Sequence, residues 1–202
     1  MERISQLTIL TSLFIAFQTL TADAQIKKSD FQYAVSPKQP YGAYNPEAPE
    51  QLKDFDPMIG SNICESVQRN QHGSWQDTTS VNWEFKYIFD GKAVQDITWK
   101  EDGNHTSSIR QFNADSSKWA VTFFSANNAN FNPPSWYGGK TENGNIVLTR
   151  PQPAPGSGTP GTNRLTFSNI TEQGFDWIGE WISEDESIVY PYWKIYCTKD
   201  ED

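Results

Sequence analysis

The sequence predicts an all-β domain: an antiparallel up-and-down β-barrel of about ten strands with a short helical turn before it. Three observations predict it. From Ile59 onward no window of about eleven residues sustains a helical period. Segments rich in β-branched and aromatic residues recur about every 10 to 15 residues between turn signals. Most of the connections are short Gly-containing turns that join nearest neighbours, which favours one closed sheet over two packed sheets.

The 202 residues suit one globular domain. Lys and Arg number 16 against 25 Asp and Glu, a formal charge of -9, which repels phosphate backbones and anionic membrane surfaces. Nucleic-acid binding is therefore disfavoured.

Residues 1–24 read as a secretory signal peptide. Arg3 supplies the positive end, Leu7 to Leu20 the apolar centre, and Ala22-Asp23-Ala24 the small-residue cleavage pattern. The apolar stretch is too short and too diluted by Thr, Ser and Gln to span a bilayer, so no membrane insertion is expected. The address implied is the periplasm or the outside medium. Residues 25–51 read as a Pro-rich flexible tether, with Pro37, Pro40, Pro46 and Pro49 among polar residues. Glu50 to Phe55 can form one or two helical turns with Leu52 and Phe55 on one side, a lid on the core that residues 52–199 form.

The clearest strand runs from Val81 to Phe89, where Val81, Trp83, Phe85, Tyr87 and Phe89 alternate with Asn82, Glu84 and Lys86. Asp90-Gly91 turns the chain into Ala93–Lys100, and Asp102-Gly103 turns it again into Ser107–Phe112. Further strands are expected at Ile63–Arg69, Trp119–Ser125, Gly138–Glu142, Asn145–Arg150, Arg164–Ile170, Gly174–Ser183 and Ile188–Cys197. Two longer loops, Ala126–Pro134 and Pro151–Asn163, belong at a mouth or out in solvent.

Cys64 and Cys197 are the only cysteines, one in the first expected strand and one at the end of the last. In an exported chain an even pair implies a disulfide, and in a closed meander those strands are neighbours, so the bond would lie across the closing seam. Two buried free thiols are the alternative.

The run Phe55-Asp56-Pro57-Met58-Ile59-Gly60-Ser61-Asn62, followed by Trp83 to Asp96 and by Arg110-Gln111-Phe112 with Trp119 after it, resembles an uncharacterised bacterial secreted family of lipocalin-like (calycin) domains. The resemblance covers about Leu52 to Lys199. It implies a closed antiparallel barrel with a central cavity for small, mostly apolar molecules. That superfamily usually carries Gly-x-Trp in its first strand, the Trp plugging one barrel end, whereas Gly60-Ser61-Asn62 puts Asn there.

A barrel surrounded by water should turn its rings inward: Trp83, Phe85 and Tyr87, then Ile97 and Trp99, then Trp119, Val121 and Phe123, then Phe175, Trp177 and Trp181. Polar companions are Gln95 and Gln111 with Arg110, while Glu84, Asp96 and Lys194 depend on strand parity. An Arg among rings could take a carboxylate, or could point outward and pair with Asp96 or Glu84. His72 and His105 both fall in turns, and without further ligands nearby they make no metal site; no cofactor is expected. Gly156-Ser157-Gly158-Thr159-Pro160-Gly161 matches a dinucleotide fingerprint only formally, because the strand-turn-helix context is missing.

These residues point first to an exported protein whose partner is a small apolar or amphipathic ligand. A second reading is a carbohydrate-binding module with Trp136, Tyr137, Trp181, Tyr190, Tyr192 and Trp193 as an exposed platform. A third is an isomerase, cyclase or hydrolase using Glu84, Asp96 or a Tyr inside the barrel.

Overall fold

The computed structural model describes residues 26–201, so the expected signal peptide lies outside the described residues. Ten antiparallel strands follow one another around a closed barrel: β1 (Asn62–Gln68), β2 (Thr79–Ile88), β3 (Ala93–Trp99), β4 (Thr106–Asn113), β5 (Lys118–Ser125), β6 (Ser135–Lys140), β7 (Ile146–Pro151), β8 (Gly161–Thr171), β9 (Gly174–Ser183) and β10 (Val189–Lys199). Each strand pairs with its sequence neighbours, and β1 with β10 closes the ring. The sheet therefore has no free edge along its length.

The seam is covalent. Cys64 lies directly opposite Cys197 in the β1–β10 register, and the two form a disulfide with Cα atoms 4.1 Å apart. Both side chains point into the barrel, where they join the core. A disulfide fits an extracellular or periplasmic protein. Among the described residues no helix is long and apolar enough to cross a membrane.

One end of the barrel is plugged. The expected helical turn is a 3-10 helix, Glu50–Met58, and it buries Leu52, Phe55 and Met58 completely. Phe55 meets Trp119 and Phe167 edge-on at centroid distances of 4.9 and 5.8 Å, and lies near-parallel to Phe85 at 6.5 Å. Asn62, which stands where the resemblance would place a plugging Trp, ties the plug down instead. Its Nδ2 donates to the Met58 carbonyl at 3.0 Å and to the Trp83 carbonyl at 2.9 Å. Lys199, from the end of β10, donates to the carbonyls of Pro57 and Ile59. Carbonyls at a helix end have no partner within the helix, so these donors satisfy the last turn. Phe55 thus does the work expected of a strand tryptophan.

The Pro-rich segment read as a tether is paired with the barrel over much of its length. Tyr33 N–H donates to Asp90 Oδ1 at 2.7 Å, Tyr87 N–H to the Tyr41 carbonyl at 2.8 Å, and Asn45 N–H to the Gly91 carbonyl at 3.2 Å. Gly91 has φ +76°, and an added Cβ there would lie 2.2 Å from the Ala43 carbonyl oxygen, so this strap needs glycine beneath it. The Tyr33 and Asn45 amides find partners on the β2–β3 turn, and others, such as Ser36, Gln39 and Ala43, pair within the segment itself.

Candidate functional site

The end opposite the plug is open, and a cavity of about 290 Å³ lies between it and the plug. Aromatic and aliphatic side chains make most of its wall: Trp83 of β2, Val121 and Phe123 of β5, Trp136 of β6, Leu148 of β7, Leu165 and Phe167 of β8, Trp177 of β9, and Trp193 and Ile195 of β10. Ring pairs stiffen that wall, with Trp177 edge-on to Trp193 at 5.2 Å and Phe123 to Trp136 at 6.4 Å. The polar lining is Asp96, Thr98, Thr106, Ser108, Arg110, Arg150 and Tyr192.

Register explains which side chains enter. Directly opposed residues of an antiparallel pair share a face. Trp83, Phe85 and Tyr87 point inward, and they stand opposite Thr98, Asp96 and Val94. So Val94, Asp96 and Thr98 occupy the inner face of β3, and Gln95, Ile97 and Trp99 face outward, contrary to expectation. Gln95 there donates to Ser107 Oγ at 3.2 Å, and Trp99 packs on His105 at 5.0 Å. On β4 the same rule puts Arg110 inside and Gln111 outside, the latter also a correction.

The other expected pocket residues divide by depth. Trp83, Arg110, Val121, Phe123 and Trp177 line the cavity. Phe85, Tyr87, Trp119 and Phe175 point inward but are packed into the core around the plug, beyond the cavity. Tyr87 OH donates to Asp56 on the plug helix, and burial together with that carboxylate holds its pKa far above the usual phenol range. Trp119 Nε1 donates to Asp54 Oδ2 at 3.1 Å. Trp181 is buried near the open end, where its Nε1 donates to the Gln152 carbonyl at 2.9 Å.

Two polar arrangements distinguish the floor from the mouth. At the floor, Arg110 and Asp96 form an ion pair with each side chain 3% exposed. Asp96 Oδ1 also accepts the Ser108 N–H at 3.2 Å, and the Arg110 guanidinium stands about 5.1 Å from the rings of both Phe55 and Phe85. Burial pushes the Arg110 pKa down to about 9, which leaves it protonated at neutral pH. At the mouth, Trp136 Nε1 donates to Asn163 Oδ1 and Asn163 Nδ2 donates to Tyr192 Oη, both at 2.6 Å. Burial raises the Tyr192 pKa, so its hydroxyl keeps its proton. Arg150 stacks over the Trp136 ring at 4.6 Å and donates through Nη2 to Gln152 Oε1 at 2.5 Å.

Tyr192 and Trp193 are sequence neighbours, yet both line the cavity. A register shift in the β9–β10 ladder between Pro191 and Trp193 breaks the alternation and turns both inward. Trp193 Nε1 then reaches Ser66 Oγ at 2.8 Å. Sequence reasoning missed Trp136, Arg150, Tyr192 and Trp193 as lining residues. Trp136 lay outside the strand expected at Gly138–Glu142, because β6 begins at Ser135, straight after Pro133-Pro134. Arg150 had a usable signal, since Ile146, Leu148 and Arg150 alternate on one face of β7.

Neither the sugar platform nor a facing pair of carboxyls is assembled. Of the residues expected in a sugar platform, Trp136 and Trp181 are buried and Tyr192 and Trp193 turn inward, which leaves only Tyr137 and Tyr190 well exposed. Glu84 and Asp96 lie on opposite faces of the sheet, with Glu84 in an outer ion pair to Lys86 at 3.5 Å. Two carboxyls that never face each other make no acid-base couple. Among the described residues no group of three or more His, Cys, Asp or Glu could hold a metal ion.

The chain matches no protein-family model and no curated protein. The buried aromatic cluster and the cavity beside it are compatible with ligand binding, and the barrel geometry carries the functional argument.

Proposed function

We propose that the protein is an exported, lipocalin-like binding protein that holds one small apolar or amphipathic molecule in the aromatic cup of its barrel. The observation that carries this reading is the cavity itself. It is lined mainly by rings and aliphatic side chains, is open at one end and sealed at the other by Phe55, and its volume is near the lower edge of about 300 Å³ for small-molecule pockets. The disulfide across the seam supports export.

Titration with the neutral fluorophore N-phenyl-1-naphthylamine tests the reading, because four tryptophans, Trp83, Trp136, Trp177 and Trp193, form the wall. One saturable site with tryptophan quenching is expected. Val121→Trp, which fills the cavity from β5, should abolish it, with Leu165→Trp as a second filler from β8. Probe binding that is non-saturable, or that both folded fillers leave unchanged, overturns the proposal.

A further inference from the structure

The proposed cup has two arginines, and they differ in what holds their charge. Arg110 is neutralised by Asp96 at the floor. Arg150 at the mouth has no carboxylate within ion-pairing distance among the described residues, and its one side-chain hydrogen bond is to the neutral amide of Gln152. Its Nε is buried without a hydrogen-bond partner among the described residues, as are Arg110 Nε and Trp83 Nε1, so it is the missing counter-charge that sets Arg150 apart. The cavity therefore carries one uncompensated positive charge in a chain whose formal charge is -9. Glu180, on the outer face, is taken by Arg164 at 2.8 Å.

Two neighbours extend the same chemistry. Tyr192 Oη accepts from Asn163, which orients the phenol and leaves its own O–H to donate. Lys100 lies over the Trp193 ring at 5.4 Å and puts a second cation at the rim, with Asp102 as its electrostatic neighbour. A buried donor without a partner is costly, and an anionic acceptor recovers more of that cost than a neutral one.

Resting on the binding reading above, we infer that the ligand is a small organic acid bound with its acid group outward, on Arg150 and Tyr192, and its ring or alicyclic body inward among Trp83, Phe123, Trp136 and Trp177. The opposite orientation is disfavoured by charge. An acid group at Arg110 would bring a second carboxylate to Asp96 in a water-poor site with a single guanidinium between them. Stacking on Trp136 holds the Arg150 guanidinium in place before the ligand arrives, so little side-chain freedom is lost on binding.

Calorimetric titration with 2-naphthoate and with 2-naphthamide, which share a body and differ in charge, tests the inference on the full chain. Naphthoate is expected to bind about tenfold or more tighter than naphthamide. Arg150→Gln is expected to remove that preference, leaving the two compounds within about twofold of each other. A circular dichroism melt confirms that the variant is folded. Equal binding of both compounds to the parent protein, or a naphthoate preference that survives Arg150→Gln, overturns the acid-outward inference and leaves the binding cup standing. If neither compound nor the neutral fluorophore binds, the cup reading falls and the inference falls with it.

Discussion

Asp96 and Arg110 pair inside the barrel, on adjacent strands, with each side chain 3% exposed. A buried pair of this kind gains little over well-packed apolar residues, but removing one partner strands the other charge. Arg110→Met should therefore destabilise the protein by about 3–5 kcal/mol, and the double variant Arg110→Met with Asp96→Leu by markedly less. Urea denaturation of the singles and the double closes the cycle. Equal costs for single and double would mean that Asp96 is not left isolated.

The plug depends on one ring. Phe55 contacts Phe85, Trp119 and Phe167 and lies beneath the Arg110 guanidinium. Phe55→Ala should cost about 3–5 kcal/mol, the range for a fully buried ring, and should let a dye enter from the plugged end. Thermal and urea melts measure the first effect, and probe-binding stoichiometry measures the second.

The disulfide closes a loop with a sequence separation of 133 residues. Cys64→Ala with Cys197→Ala should lower stability by about 2–5 kcal/mol, whether the gain comes from chain entropy or from solvation of the unfolded state. The same loss should appear in the parent protein with reductant present, and the double variant should be insensitive to reductant.

Alkaline pH should unfold the protein through its buried phenols. Burial raises the pKa values of both Tyr87 and Tyr192 above the ordinary phenol value of about 10. In that range the folded state binds more protons than the unfolded state, so stability is fully present below about pH 10 and falls as pH rises beyond it. Tyr87→Phe should flatten this fall. Near-ultraviolet phenolate absorbance should show these two of the eight tyrosines ionising late.

The strap contact of Ala43 and Asn45 with Gly91 gives a further expectation. Gly91→Ala would meet the Ala43 carbonyl at 2.2 Å and force a left-handed backbone onto alanine. The variant should cost about 1–3 kcal/mol, more than a surface substitution, and protease cleavage within residues 33–48 should become faster.

Alternation, turn residues and the placement of two cysteines determined the all-β class, the approximate strand count and the seam, because these are local signals that survive without neighbours. Even the parity of β3 was present in outline. A turn centred on Asp90-Gly91 sets Phe85 opposite Asp96, yet the apolar character of Ile97 and Trp99 argued for the other face. Pairing geometry outweighs hydropathy there because one slipped residue would reverse every side chain of the strand. Only the tertiary structure decided which inward rings pack against Phe55 and which are left to wall a cavity, since that depends on where the plug stops. It alone decided that Arg110 is neutralised and Arg150 is not, because Asp96 lies 14 residues before Arg110 and meets it through register, while no acidic strand neighbour reaches Arg150. The inward turn of Tyr192 beside Trp193 likewise comes from a bulge set by the β9–β10 ladder, a contact between segments that no local pattern encodes.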